Sequence, residues 1–263
     1  MTLYKHELKM NLTSFLIWQA GVLAMSAGCI FLFPLIDESM ADMSDAFASM
    51  GGFSAAFGMD KLPITTLEGF FGTEIGTIFA LGSGMYAALL GISALSKEES
   101  AHTAEFLHTL TLGRCGIVSG KLFSVLTYLV LFDLTAFGVF VGSAALIGES
   151  LSLKCLASYI AAQLAAQLEI ASVCFGLSAY SKRSGLGLGL GIALVLYVLD
   201  IIARITDKAE FLKNITPFSF SNATDIFVGD GAVEALPLCI GVCVTVIGIA
   251  AAYIVYRRKD IAA

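Results

Sequence analysis

Six long apolar stretches dominate the chain and predict helices that cross a membrane. A helix needs roughly 20 apolar residues to span the hydrocarbon core of a bilayer, and each stretch reaches about that length. The pattern therefore predicts an all-α, polytopic membrane protein whose residues 1–263 form a single transmembrane domain. The six stretches cover residues 15–36, 75–95, 122–147, 155–180, 185–205 and 235–256.

Two segments outside these spans have patterns of their own. Residues 3–12 mix Lys, His and Glu with Leu and Met, which predicts a short cytoplasmic amphipathic helix lying in the membrane interface. A frayed charged tail is the alternative. Residues 46–73 are rich in Gly, Ala, Phe and Met but are too interrupted to span. We expect this second segment to pack over the outer mouth of the bundle.

The composition is that of a chain that lies mostly in lipid. Hydrophobic residues make up 57% of the chain and charged residues 14%, with a formal net charge of −6, whereas soluble domains carry about 25% charged residues. No long basic run is present, which argues against a nucleic acid partner. The histidines His6, His102 and His108 lie outside the spans and the cysteines form no CxxC pair, so no metal site is expected.

The distribution of Lys and Arg predicts the orientation of the bundle. If the N-terminus is cytoplasmic, ten of the fifteen basic residues lie on the cytoplasmic side, and the first outer loop is acidic. An excess of Lys and Arg in cytoplasmic loops is the usual orientation signal. We therefore expect a multi-pass protein of the cell membrane with both termini in the cytoplasm.

The connection between the second and third spans has the pattern of an amphipathic helix. Over residues 98–110, polar and apolar residues recur at the i, i+3, i+4 and i+7 spacings of two opposite helix faces. This pattern predicts a cytoplasmic helix with a docking face; a helix that only lies on the membrane is the alternative. The polar stripe contains Glu98, His102, Glu105 and Thr109, and the opposite stripe contains Thr103, Phe106, Leu107 and Leu110.

The same connection carries a motif that resembles a known family. Glu98-Glu99-x-x-x-Thr103-x-Glu105-Phe106-Leu107, followed by Arg114-x-x-Ile117 and Gly120-Lys121, resembles the signature of type-2 ABC exporter permeases. The opening Glu7-Leu8-Lys9, Pro217-Phe218 before the last span and the ending that begins at Tyr256 are similar to that family too. Two positions depart from the family pattern: His102 stands where Gly is usual, and Thr111 stands where Pro is common.

The resemblance implies a permease subunit of an ATP-driven exporter with six membrane spans. Such a subunit pairs with a second permease chain, either a copy or a relative, and with two separate ATPase subunits. It would form the substrate pathway and receive force from the ATPases, while the transported substrate stays undetermined. On this interpretation the ATPase-coupling residues are Glu98, Glu99, Thr103, Glu105, Phe106, Leu107 and Arg114.

The chain itself is not expected to hydrolyse ATP or to be an enzyme. A P-loop has the pattern GxxxxGK[ST] between a strand and a helix. The Gly120-Lys121 pair has Cys115 where the first glycine is needed and Leu122 where Ser or Thr is needed. We therefore expect no cofactor on this chain and place ATP and Mg²⁺ on the partner ATPase.

Four glycines alternate with leucine at the start of the fifth span. The spacing of four between members of each pair lets neighbouring helices approach closely, so helix packing is the expected role. A flexing point during transport is the alternative. The glycines are Gly185, Gly187, Gly189 and Gly191.

Asp133 and Glu169 lie inside the third and fourth spans. Carboxyl groups within a membrane are functional candidates by default because burying them is unfavourable. Each lies 15 residues from the turn that joins the two spans, roughly 22 Å along a helix, so we hypothesise that they face each other. The alternative is a protonated residue hydrogen-bonded to a neighbouring helix.

These carboxyls also motivate the rival functions. One rival is a secondary transporter driven by protons through Asp133 and Glu169, a class that often shows inverted repeats; no convincing repeat relates the halves of this chain. The other rival is an intramembrane enzyme. A metalloprotease would need an HExxH motif or a His/Asp cluster within the spans, and the three histidines lie outside them.

Overall fold

The computed structural model describes residues 2–48, 51, 54, 58–59, 61–100, 113–181 and 185–259, without the side chains of residues 2, 36–48 and 207. Within these ranges it contains six helices long and apolar enough to cross a membrane, and no strand. The predicted all-α, polytopic fold class is therefore confirmed.

The long helices are joined by short helical segments. In chain order the elements are α1 (Thr2–Ala48), α2 (Leu67–Phe70), a π-helical turn (Phe71–Ile75), α3 (Gly76–Ala94), α4 (Lys97–Ser100), α5 (Arg114–Leu146), α6 (Leu153–Tyr180), α7 (Leu186–Ile205), a 3₁₀ helix (Asp207–Asn214), α8 (Pro217–Phe220), α9 (Ala223–Val228) and α10 (Ala235–Arg258).

The predicted amphipathic helix over residues 3–12 is not separate from the first span. Helix α1 continues without a break from Thr2 to Ala48. Leu3 and Glu7, one turn apart, are buried against the bundle, whereas Met10 and Leu12 are exposed. The ion pairs of Glu7 described below hold this first part of α1 along the bundle, so it does not lie apart in the membrane interface.

The second span also starts earlier than its apolar pattern suggests. Thr66 caps α2 by accepting a hydrogen bond from the Gly69 amide, and the helix continues through the π-helical turn into α3. Leu67 and Phe71 are buried. The second span therefore covers Leu67–Ala94, which includes part of the segment expected to pack over one end of the bundle.

Helix α6 is the centre of the bundle and packs against α3, α5 and α10. Small residues allow the helices to approach closely at two of these crossings. A Cβ at Gly248 of α10 would stand 2.7 Å from the Ser172 carbonyl oxygen, and a Cβ at Gly91 of α3 would stand 2.9 Å from Cys174 Cβ. Side chains at these glycines would push the helices apart. The helices therefore meet there through close backbone contact and not through interlocking side chains.

An aromatic cluster fills the space between α3, α5 and α6. Phe71 meets Phe140 and Tyr159 edge to face at centroid distances of 5.1 and 5.6 Å, and Phe79 meets Phe140 at 5.3 Å. These rings are fully buried. Edge-to-face pairs at this separation are favourable beyond their burial, so the cluster fixes how α5 and α6 sit on α3.

Helices α1, α7 and α10 lie at the periphery and present apolar side chains outward. In the most apolar window of α7, 22% of residues are buried, and in that of α10, 11%. Among the exposed side chains are Ile17 on α1, Val195 on α7 and Ile247 on α10. Apolar outer faces of this kind are suited to contact with lipid or with another membrane helix.

The two ends of the bundle are distinct. We call the end of the bundle at which α1 starts and α10 ends the terminal end. Helix α5 also begins at this end, and helix α6 ends there. At the hairpin end, residues 147–152 join α5 to α6. There α8 and α9 are capped by the side chains of Thr216 and Asn222, and Gly58 lies against Thr224. The segment before α2 therefore contacts α9 at the hairpin end.

Candidate functional site

A network of buried ion pairs lies at the terminal end. The ammonium group of Lys121, at the start of α5, pairs with Glu7 Oε1 of α1 at 2.9 Å and with Glu98 of α4. Glu7 also pairs with Lys97. Lys121 is 1% exposed and Glu7 is 2% exposed. Helices α1, α4 and α5 are therefore joined by charges that have little access to water.

A second group of contacts extends the network to α10. Lys259, just after α10, pairs with Glu99 of α4 at 2.7 Å and donates to the Ser181 carbonyl oxygen at 2.8 Å. Arg114, the first residue of α5, donates to the carbonyl oxygens of Arg257 and Lys259 at 2.8 and 2.9 Å. A cation at a helix C-terminus satisfies free carbonyl groups and interacts favourably with the helix dipole.

Burial makes the members of this network depend on one another. Removing a charged side chain from water is unfavourable by several kcal/mol, and only well-placed opposite charges offset that penalty. Lys121 has two carboxylate partners, and Glu7 has two ammonium partners. Replacing one partner by a neutral residue leaves a buried charge with fewer opposite charges around it, so the network favours one arrangement of α1, α4, α5 and α10.

Three of the predicted coupling residues lie in this network. Glu98, Glu99 and Arg114 are brought together at the terminal end, each with partners on other elements. The remaining predicted coupling residues fall within 101–112, outside the residues that the structure describes: Thr103, Glu105, Phe106 and Leu107. The apolar docking stripe of the predicted helix therefore stays a prediction.

Asp133 and Glu169 are both buried within the bundle, but they have different neighbours. Gln167 Nε2 donates to Asp133 Oδ1 at 2.8 Å. Glu169 instead points at Gly241 of α10, where a Cβ would stand 3.3 Å from Glu169 Cδ and closer still to Oε2. Gln167 and Glu169 are two residues apart on α6, about 200° around a helix. The hypothesis that the two carboxyls face each other is therefore wrong.

The four alternating glycines of α7 divide between two faces. A Cβ at Gly189 would lie 2.8 Å from Ile92 Cγ2 and 3.1 Å from the Ala88 carbonyl oxygen, so this glycine lets α7 approach α3 closely. Gly185 lies on the same side, where a Cβ would stand at an ordinary distance of 3.6 Å from Ile92 Cγ1. A Cβ at Gly187 or Gly191 would have nothing within 4 Å, so these two glycines lie on the open face.

One family model accounts for nearly the whole chain. The model of the family described as "Multidrug efflux system permease Rv1217c, C-terminal domain" matches residues 7–257. The chain belongs to this family. No curated protein matches it. Together with the six apolar helices, membership of a permease family identifies a multi-pass membrane protein that is a transport component, not an enzyme.

The permease has a second charged site at the hairpin end. Arg204 of α7 pairs with Asp200 at 2.8 Å and with Asp225 of α9 at 3.3 Å, and Lys61 pairs with Asp225 at 2.5 Å. Lys61, Arg204 and Asp225 line a cavity of about 540 Å³ whose wall also contains Phe220. The ion pairs tie α7, α9 and the segment before α2 together. In the described ranges no three His, Cys, Asp or Glu side chains form a metal site.

Sequence reasoning missed the partners in both charged sites. It identified Glu98, Glu99 and Arg114 but did not single out Lys97, Lys121 or Lys259 as their partners. A usable signal was present, because opposite charges flank several spans at one end of the bundle. Asp200 and Arg204, four residues apart within an apolar span, carry the i, i+4 signal of a helical ion pair. Their partner Asp225 is distant in sequence and has no such signal.

Proposed function

We propose that this permease is the transmembrane subunit of an ATP-driven exporter of the type-2 ABC class, and that a separate ATPase acts on it at the terminal end. The observation that supports the proposal best is the buried network around Lys121 and Glu99. It joins α4, which directly precedes residues 101–112, to three of the membrane-spanning helices.

The network connects α4 to membrane-spanning helices, so a force on α4 acts on those helices. A displacement of α4 acts on α5 and α1 through Glu98 and Lys121, and on α10 through Glu99 and Lys259. Because these pairs are buried, separating them is unfavourable, and the helices shift together more readily than one by one. A closing movement of the ATPases against residues 101–112 would in this way change the packing of the bundle between alternative states.

The residues around Lys121 support placing the energy source on another chain. Its ammonium group is occupied by Glu7 and Glu98 within the bundle, whereas the lysine of a P-loop points at nucleotide phosphates. ATP and Mg²⁺ would accordingly bind to the ATPase subunit. The proposal includes a second permease chain, a copy or a relative, and the apolar outer faces of α1, α7 and α10 offer surface for that chain and for lipid.

The direction and the type of substrate follow from two further observations. The excess of Lys and Arg at the terminal end supports a cytoplasmic location for both termini, where an ATPase has its ATP. The matched family is described as a multidrug efflux permease, which supports outward transport of small, apolar or amphipathic compounds by this chain.

Reconstitution with the candidate ATPase tests this proposal. The permease would be co-expressed with a candidate ABC ATPase, purified as a complex and placed in liposomes that contain ethidium as a probe substrate. We expect ATP-dependent ethidium movement that is lost when the catalytic glutamate of the ATPase is replaced. The matched permease variants are Glu98→Lys/Glu99→Lys, which should lose transport while still inserting, and Lys154→Glu at an exposed pair of the hairpin end, which should retain it.

The same liposomes distinguish the main rival. A proton gradient imposed across liposomes with the permease alone should move no ethidium. Ethidium movement that follows the proton gradient, needs no ATPase and is lost in Asp133→Asn or Glu169→Gln would contradict the proposal and indicate a proton-coupled secondary transporter.

A further inference from the structure

A carboxyl and an amide meet between α5 and α6 with an unbalanced set of hydrogen-bonding atoms. Asp133 is 2% exposed and Gln167 is 1% exposed. Gln167 Nε2 donates to Asp133 Oδ1 at 2.8 Å. The two remaining oxygens, Asp133 Oδ2 and Gln167 Oε1, are buried and have no hydrogen-bond donor in the described part of the chain. An ionised carboxylate and an amide oxygen only accept hydrogen bonds, so neither can satisfy the other.

Among the residues that the structure describes, no cation pairs with Asp133. None of the ion pairs formed by the described residues includes Asp133, and Gln19 of α1, which reaches this part of α5, bonds to Thr135 and to the Phe132 carbonyl oxygen. The titratable neighbour on α6 is Tyr159, whose hydroxyl donates to the Gly76 carbonyl oxygen at 2.8 Å. Glu169 lies on another face of α6. A charged Asp133 would therefore be buried with a single hydrogen bond, which is strongly unfavourable.

We propose that Asp133 is present as a carboxylic acid and that its Oδ2–H donates to Gln167 Oε1. The acid and the amide then form a ring with two hydrogen bonds, one in each direction. A single proton supplies the donor that both unpartnered oxygens lack, and the pair becomes neutral. Acid and amide groups match in shape for this arrangement, because each presents one donor and one acceptor side by side.

The pair would lock α5 to α6 within the membrane. Helix α5 begins in the charged network at the terminal end, and α6 is the helix around which α3, α5 and α10 pack. A two-bond connection between them makes α5 and α6 move as one unit. The inference does not depend on the proposed ATP-driven function, because it concerns the pairing of two helices and is tested on the permease alone.

Substitutions at Asp133 test whether its side chain is a carboxylic acid or a carboxylate. In Asp133→Asn the side-chain amide supplies the same donor and acceptor, so the ring with Gln167 is kept. In Asp133→Leu, of similar size, both bonds are lost. We expect the thermal unfolding midpoint of the purified permease in nanodiscs to be unchanged in Asp133→Asn and to fall by about 2–6 °C in Asp133→Leu, with a similar fall in Gln167→Leu.

Infrared spectroscopy tests the protonation state directly in the unaltered protein. A carboxylic acid has a C=O stretching band that a carboxylate lacks. At neutral pH we expect such a band in the wild-type permease, shifted by ¹³C-labelled aspartate and absent in Asp133→Asn. The inference is overturned if no aspartate-derived acid band is present, or if Asp133→Asn destabilises the permease as much as Asp133→Leu does.

Discussion

Glu7 and Lys121 form an ion pair of 2.9 Å between the beginning of α1 and the beginning of α5, and both side chains are buried. The two residues are far apart in sequence, so this pair fixes the start of the first span against the third. Through the second partners of each residue, Lys97 and Glu98, it also holds α4. The terminal end is in this way assembled around one buried lysine.

Neutralising this lysine should destabilise the permease strongly. Lys121→Met leaves Glu7 and Glu98 without their buried partner, and breaking a buried pair typically lowers the free energy of unfolding by about 3–5 kcal/mol. The double variant Glu7→Gln/Lys121→Met should recover part of this loss because it also removes one of the two carboxylates that Lys121 balances. Reversible unfolding in mixed micelles measures the three free energies.

The control for this experiment is an exposed pair at the other end. Lys154 and Asp230 lie 2.5 Å apart with side chains that are 66% and 80% exposed. Lys154→Met should leave the free energy of unfolding almost unchanged, because exposed pairs contribute little. A loss as small in Lys121→Met would show that the network does not hold the terminal end together.

The contact between Glu169 and Gly241 predicts a specific rescue. In Gly241→Ala the new methyl group meets the Glu169 carboxyl and lies 3.2 Å from Phe220 Cε1, so we expect a loss of about 1–3 kcal/mol in the free energy of unfolding. Gly138→Ala on α5 is the control, because nothing lies within 4 Å there. In a double-mutant cycle, Glu169→Ala with Gly241→Ala should be less destabilising than the sum of the single changes; simple additivity would rule out the contact.

Alanine substitutions at two glycines of α7 should differ in their effect on the thermal unfolding midpoint. Gly189→Ala forces a methyl group against Ile92 and the Ala88 carbonyl oxygen, so it should lower the thermal unfolding midpoint. Gly187→Ala meets open space and gains helix propensity of up to about 1 kcal/mol, so the midpoint should stay the same or rise. Equal effects of the two substitutions would indicate that α7 does not pack on α3 through this face.

Labelling of intact cells tests which end of the bundle is cytoplasmic. Cys115 lies at the terminal end and is exposed, and Lys154 lies at the hairpin end. In a background without the other cysteines, a membrane-impermeant maleimide should not label Cys115 from outside. In a second variant that lacks Cys115 as well and carries Lys154→Cys, the same maleimide should label the new cysteine from outside. The reverse pattern would invert the orientation and remove the ATPase from the terminal end.

The sequence predicted the six spans because lipid imposes a length and a composition on every membrane helix. It did not predict that α1 begins at Thr2 or that the second span begins near Leu67, since polar residues there are held in the helix by tertiary contacts such as Glu7 with Lys121. Periodicity identified Glu98, the motif that resembles the permease family identified Glu99, and intramembrane position identified Asp133 and Glu169.

The partners of the two intramembrane carboxyls could not be assigned from one sequence. Asp133 and Glu169 were placed at one depth by counting residues from the turn, but depth does not define which side of a helix a carboxyl faces. Gln167, a neutral residue, is the partner of Asp133, and Gly241, a residue without a side chain, accommodates Glu169. Neither a glutamine nor a glycine indicates from the sequence alone that it belongs to a polar site.

The central claim is that force from an ATPase enters the membrane through α4 and its ion pairs, and a charge exchange tests it most directly. The measurement is the number of ethidium molecules exported per ATP hydrolysed by the complex in liposomes. Glu99→Lys and Lys259→Glu should each lower this ratio several-fold while ATP hydrolysis continues. The double exchange, which restores opposite charges between α4 and the end of α10, should recover much of the ratio. A ratio that is unchanged in both single variants, or a double variant no better than either one, would contradict the account.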